Sequence, residues 1–259
     1  MSAPFFPNSF ANMTIPSLSL QKKWPKLSLA RCLWPLFAAL LLPVSGSETA
    51  VLVEDDFEQY EAGRRPEEHY RFPGFTLPDD GVILDAGSDH GKVLQMKYVE
   101  KATPGETFGS RLERRFAGFP EVGSEGRVTL EFDYQPVSTV NSWAGFMLLN
   151  SGDKQVQQAV LINPSGGVRL ATPNNTVLHL VREPLEAGKW YHIALTLDLK
   201  LNEVNLTVSA DGMEPVQSGF QPSGIPQGAI LDTFYIARYS KPFRYDYRLD
   251  RLRIRQTPR

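Results

Sequence analysis

Short stretches in which apolar and polar residues alternate one by one run through most of the chain. The clearest is Tyr191, Ile193, Leu195, Leu197 and Leu199, and the pattern returns at Val204, Leu206 and Val208 after a turn at 200–202. Period two marks a half-buried strand, because successive side chains point to opposite faces of a sheet. The pattern predicts strands at about 51–57, 82–85, 92–99, 110–116, 127–135, 143–149, 156–163, 167–171, 176–181, 190–199, 203–210, 230–238 and 246–255. No segment carries the i, i+3, i+4, i+7 spacing of an amphipathic helix. Many short strands punctuated by Gly, Pro, Asp and Asn predict an all-β fold, a two-sheet antiparallel β-sandwich of jelly-roll type. Tyr191, Ile193, Leu195 and Leu197 are assigned to its core, together with Val128, Leu130, Phe132 and Tyr134; Glu131 and Asp133 then face the other way. Residues 117–126 and 212–228 read as loops. Residues 60–81 read as a surface excursion with a short edge strand, and 239–247 as a loop dense in aromatic and basic side chains.

The N-terminal part breaks this pattern. Lys22, Lys23, Lys26 and Arg31 precede an apolar run, 32–44, and the small residues Ser45, Gly46 and Ser47 follow it. A basic region, a short apolar run and a small-residue exit are the parts of a secretory signal peptide. The run is shorter than the roughly 20 residues of a membrane span; an uncleaved anchor is the alternative. The expected organisation is a disordered leader or mis-assigned start over 1–21, a signal peptide over 22–47 and one domain over 48–259. Cys32, the one cysteine of the chain, lies in the signal region, so the exported domain has no disulfide. Export without disulfides points to a bacterial protein that is secreted, periplasmic or held at the cell surface.

Of 27 basic residues, four lie in that leader, which leaves 23 against 29 acidic ones. A net charge near −6 argues against nucleic acid as partner. No second apolar run of membrane length follows, so no membrane association is expected after cleavage. A glycine-rich phosphate loop, a zinc-spaced Cys/His cluster and a nucleophile elbow are all absent from the sequence.

Three segments stand out together: Gly188-Lys189-Trp190-Tyr191-His192-Ile193-Ala194-Leu195-Thr196-Leu197-Asp198, Asp55-Asp56-Phe57-Glu58 with Tyr60, Gly63 and Pro66, and Leu249-Asp250-Arg251-Leu252-Arg253-Ile254. In this order they resemble the Trp-x-His strand, the opening motif and the closing strand of the concanavalin A-like lectin/glucanase domains, including laminin-G-like modules, in their bacterial secreted form. The resemblance spans 51–255 and implies a jelly roll in which the first and last strands lie side by side.

That neighbourhood makes Asp56, Glu58 and Asp250 candidate ligands of a structural Ca²⁺, which takes six to eight oxygens. A solvated acidic strand start is the competing reading. Glycan-cleaving relatives carry E-x-D-x-x-E, and here Glu131 and Asp133 match while Pro136 stands where the acid is required. His192 is read as a structural member of its strand, against a lyase reading that would join it to Gln155, Gln157 or Gln158. Trp143, Arg238, Tyr239, Phe243, Arg244 and Tyr245 are the candidate sugar platform, since exposed aromatic residues mark contacts. Asn174 and Asn205 head Asn-x-Thr acceptor sequences. The expected function is non-catalytic binding of an extracellular or cell-surface polysaccharide or glycoconjugate. The alternatives are an adhesive surface module with a protein partner, and a polysaccharide lyase or glycoside hydrolase with an unrecognised site.

Overall fold

The computed structural model describes residues 49–72, 81–87, 89–99, 112–139, 141–153, 156–172, 177–238 and 244–258. The leader, Asn174, Tyr239 and Phe243 therefore lie outside the described residues. The strands are β1 (Ala50–Asp55), β2 (Val82–Asp85), β3 (Lys92–Val99), β4 (Leu112–Arg115), β5 (Arg127–Pro136), β6 (Ala144–Leu149), β7 (Gln157–Asn163) and β8 (Gly167–Ala171). There follow β9 (Val177–Val181), β10 (Tyr191–Asp198), β11 (Glu203–Ala210), β12 (Met213–Gln217), β13 (Gln221–Pro222), β14 (Thr233–Arg238) and β15 (Arg244–Thr257). They form a nine-stranded sheet ordered β12-β11-β10-β5-β15-β3-β2, in which β1 also pairs β15 and β13 pairs β11. The second sheet has six strands ordered β4-β14-β6-β7-β8-β9.

Every pairing is antiparallel, and the first and last strands are neighbours as expected. The alternation in β10 sets the register at the centre of the larger sheet. Leu195 sits opposite Leu206 on one side and Leu130 on the other, and all three are fully buried. A one-residue slip would turn this row outward, so burial at about 1.5–3 kcal/mol per leucine specifies the register. The two sheets meet through Phe132 of β5 and Phe146 of β6, whose rings stack 4.8 Å apart. Asn202 closes the β10–β11 turn at φ 54°, where a short polar side chain tolerates the left-handed region, and Asp198 Oδ1 accepts the Leu201 N–H at 3.0 Å.

Two expectations change. The segment 212–228, read as a loop, contains β12 and β13. β12 is an exposed edge strand holding Pro215, so it shows no alternation and needs none. The described part of the excursion, residues 60–72, is anchored to the core: Tyr60 and Tyr70 are buried, and a bridge pairs Arg71 with Glu113. The buried Asp55 carboxylate accepts from the Tyr60 hydroxyl (2.8 Å), the Tyr70 hydroxyl (2.9 Å) and the Phe57 N–H (2.9 Å), and pairs with Arg114. Burial drives both tyrosines well above the ordinary phenol value, so both remain neutral donors.

β15 is irregular at one point. Asp250 faces Asp133 and Arg253 faces Glu131, so three steps along β15 match two along β5. The extra residue is Arg251, held at φ 50°. This is a β-bulge, which reverses the side-chain parity of the strand beyond it.

Candidate functional site

With Val128, Leu130, Phe132 and Tyr134 committed to the core, β5 turns Thr129, Glu131, Asp133 and Gln135 outward. Cross-strand register brings His192 of β10 beside Asp133, and Arg248 and Asp250 of β15 beside Gln135 and Asp133. Asp133, Gln135, His192 and Arg248 line a cleft of about 1100 Å³ on the outer face of the nine-stranded sheet, with Asp250 buried directly beneath His90.

Two histidine–carboxylate pairs occupy its floor. His192 Nδ1 lies 2.8 Å from Asp133 Oδ1, and His90 Nδ1 lies 2.7 Å from Asp250 Oδ2. Arg251, pushed out by the bulge, stands between them, 3.4 Å from Asp133 Oδ2 and 3.8 Å from Asp250 Oδ2. The Arg251 N–H donates to Asp250 Oδ1 at 2.6 Å. The hydrogen bond to Asp133 raises the His192 pKa, against the opposing effect of burial. Burial raises the Asp250 carboxyl, against the His90 hydrogen bond. Half of the His192 side chain remains open to solvent at 47%, whereas Asp250 shows 3%.

His90 reaches the cleft from the β2–β3 turn, which is built with care. Its ring stacks on Trp190 at 3.9 Å and 17°. Gly91 follows at φ 52°, and a Cβ there would fall 1.9 Å from Glu58 Oε1. That oxygen accepts the Lys92 N–H at 2.7 Å, while Lys92 Nζ donates to the Glu58 and Tyr60 carbonyls. Glu58 thus clamps the turn that presents His90.

At the other end, Gln135 donates Nε2–H to the Gly188 carbonyl (2.7 Å) and accepts from Arg248 Nη1 (3.1 Å). Lys189 and Trp190 continue the wall from Gly188. On the next rung outward, Glu131 pairs with Arg255 at 3.3 Å.

The expected calcium trio is not assembled. Asp56 is exposed and its Oδ1 accepts the Glu58 N–H, Glu58 clamps the turn, and Asp250 serves His90. Among the described residues, one group has metal-ligand character: His90, Asp133 and Asp250, with ligand atoms within 4.8 Å of one another. It does not fit calcium, which wants six to eight oxygens; here one donor is an imidazole and a guanidinium already sits against both carboxylates.

The expected sugar platform is also dispersed. Tyr245 is 8% exposed and lies in the core 5.6 Å from Tyr247, because it shares the inward parity of β15. Trp143 immediately precedes β6 of the six-stranded sheet, with the Arg169 guanidinium 3.8 Å over its ring. Arg238 ends β14 and Arg244 begins β15. Gln157 and Gln158 are on β7, in the other sheet, and Gln158 is fully buried against the Ala171 carbonyl; the cleft glutamine is Gln135.

His90, Arg248 and Arg251 were not singled out from sequence. The signal for Arg251 was present: Leu249, Leu252 and Ile254 break the alternation by one residue. No local pattern marks His90, which is 160 residues from Asp250.

No family model and no curated protein matches the chain. Solved structures do. An endo-1,3-beta-glucanase from Streptomyces sioyaensis aligns with a TM-score of 0.54 at 14% identity, over 84% of this chain and 99% of that one. The winged bean acidic lectin, complexed with methyl-alpha-D-galactose, aligns at 0.50 with 9% identity, over 82% of this chain and 100% of that one. Peanut lectin aligns at 0.50 with 10% identity, over 82% and 98%. Likeness at this identity establishes the fold, which is a concanavalin A-like jelly roll.

Proposed function

We propose that this chain is an exported carbohydrate-binding protein that holds a polysaccharide or glycoconjugate in the cleft on its nine-stranded sheet. One observation carries the reading. A cleft of about 1100 Å³ gathers Trp190, two histidines, Gln135 and opposed charges at positions fixed by cross-strand register. Sugar hydroxyls need donors and acceptors in set directions, and a site built on strands holds them more precisely than one built on loops. The comparisons support this only through the fold. Binding of the full chain to a glycan array, and its loss in Trp190→Ala with an unchanged unfolding temperature, is the expected result; no binding to any glycan refutes it.

Hydrolysis is a second reading, and one feature favours it. Asp133 and Asp250 oppose each other across β5 and β15, and their environments differ: one carboxylate is paired with His192 and Arg251, the other is raised by burial. Carboxylates held apart in this way can divide acid and base roles. Glu131, the residue of the incomplete motif, is instead paired with Arg255. Release of reducing ends that disappears in Asp133→Asn would support hydrolysis, and its absence across neutral and acidic glycans would dismiss it.

A further inference from the structure

Resting on the carbohydrate-binding reading, the structure points to a substrate class: we propose that the cleft takes an acidic glycan, whose carboxylate or sulfate is anchored by Arg248. Asp89, Asp133 and Asp211 line the cleft, and neither Asp89 nor Asp211 forms an ion pair with Arg248 or Lys189 among the described residues; the carboxylates at and beside the floor are committed elsewhere. Asp133 is held by His192 and Arg251, Asp250 by His90 and the Arg251 N–H, and Glu131 by Arg255. On Arg248's own strand, Asp246 accepts from Gln95 Nε2 at 2.7 Å.

Arg248 is the exception. Its register partners are two neutral glutamines, Gln95 on β3 and Gln135 on β5. Its one hydrogen bond is to Gln135 Oε1, its Nε is buried with no acceptor, and it is absent from the ion pairs formed within 4.0 Å among the described residues. Gln135 cannot neutralise it. The amide is neutral, and its donor is spent on the Gly188 carbonyl. Lys189, the next residue along, lines the same cleft and likewise has no carboxylate partner among the described residues.

A partly buried guanidinium without a counter-ion is costly. A ligand oxyanion supplies one. The planar guanidinium offers paired N–H groups that match a carboxylate or a sulfate, and Gln135, itself tied to the backbone, keeps the fork in place. Sugar oxyanion recognition at this end, and hydroxyl contacts at the histidine–carboxylate end, divide the cleft between them.

The test is equilibrium binding of the full chain to three soluble probes: polygalacturonate, dextran sulfate and uncharged dextran. Wild-type protein is expected to bind one or both acidic probes at least tenfold more tightly than dextran. Preference for polygalacturonate identifies the carboxylate as the anchored group, and preference for dextran sulfate identifies the sulfate. Arg248→Gln should lose at least tenfold on that probe, and Arg248→Lys should recover part of it. Arg64→Gln removes one positive charge from an exposed pair with Glu61, outside the cleft, and should change nothing. Should Arg248→Gln fail to fold, Lys189→Gln carries the test, with a smaller loss expected. Equal loss in Arg64→Gln and Arg248→Gln would reduce the effect to net charge and overturn the proposal. So would tight binding of neutral glycans with indifference to Arg248, which leaves the carbohydrate-binding reading standing. Failure to bind any glycan removes both.

Discussion

The bulge at Arg251 sets backbone strain against charge pairing, and the two can be separated. An L-residue in the left-handed region costs about 1–2 kcal/mol, and Arg251 sits there at φ 50°. Its ion pairs to Asp133 and Asp250 are long, 3.4 and 3.8 Å, on a side chain 47% exposed, so each contributes about 0–1 kcal/mol. Arg251→Ala and Arg251→Gly delete the same pairs. They differ in that glycine relieves the strain while costing about 0.5–1 kcal/mol more unfolded-chain entropy. Glycine should therefore be the more stable of the two by about 0.5–1 kcal/mol, and should lie within about 1 kcal/mol of wild type. Urea denaturation with a shared m-value of about 2 kcal/mol/M places the glycine midpoint about 0.3–0.5 M above that of alanine. An alanine variant as stable as the glycine variant would refute a strained bulge. A glycine variant destabilised by more than about 2 kcal/mol would mean that the ion pairs, not the backbone, dominate there.

Three further outcomes follow from the same contacts. Gly91→Ala places a Cβ 1.9 Å from Glu58 Oε1 at φ 52°; it should cost about 1–3 kcal/mol and weaken glycan binding by releasing the His90 turn, and unchanged stability would contradict the clamp. Asp55→Ala strips the partner from a partly buried Arg114 and two buried tyrosine hydroxyls, so a loss of about 3–5 kcal/mol is expected in thermal unfolding, with Asp55→Asn falling in between. The Asp133 hydrogen bond raises His192 above its ordinary value. Its contribution to stability is therefore complete below about pH 6.5 and is lost as pH rises through the raised value; the fall should appear in wild type and vanish in His192→Gln, and identical pH profiles would rule the pair out.

Much of the scaffold was legible because a strand with one buried face states its own register. Tyr191, Ile193, Leu195 and Leu197 alternate without a break, and all four are buried. Strands that lack this asymmetry were invisible: β12 is an exposed edge carrying Pro215. The site was legible only where it shares strands with the core. Glu131 and Asp133 could be turned outward from their neighbours alone, and His192 likewise, but its partner could not be named, since 59 residues separate it from Asp133. Local density also misled. The aromatic run ending at Tyr245 and Tyr247 reads as a platform, yet its alternation with Asp246 and Arg248 is that of a core strand, and both rings point inward.

The bulge explains why one strand can serve both core and cleft along fourteen residues. Before it, the even-numbered residues Arg248 and Asp250 face the cleft while Tyr247 and Leu249 are buried. Beyond it, the odd-numbered Arg253 and Arg255 face outward to Glu54 and Glu131, and Leu252 and Ile254 fill the core. Unbroken alternation would have forced one half of that set to the wrong face. The extra residue therefore does two things at once. It restores the hydrophobic register that lets β15 hold β1, β3 and β5 together, and it drives a guanidinium between two carboxylates that would otherwise repel. The strain at Arg251 is thus tied to a fold requirement as well as to the cleft, and the glycine substitution, which keeps the bulge while removing the guanidinium between Asp133 and Asp250, distinguishes the two roles.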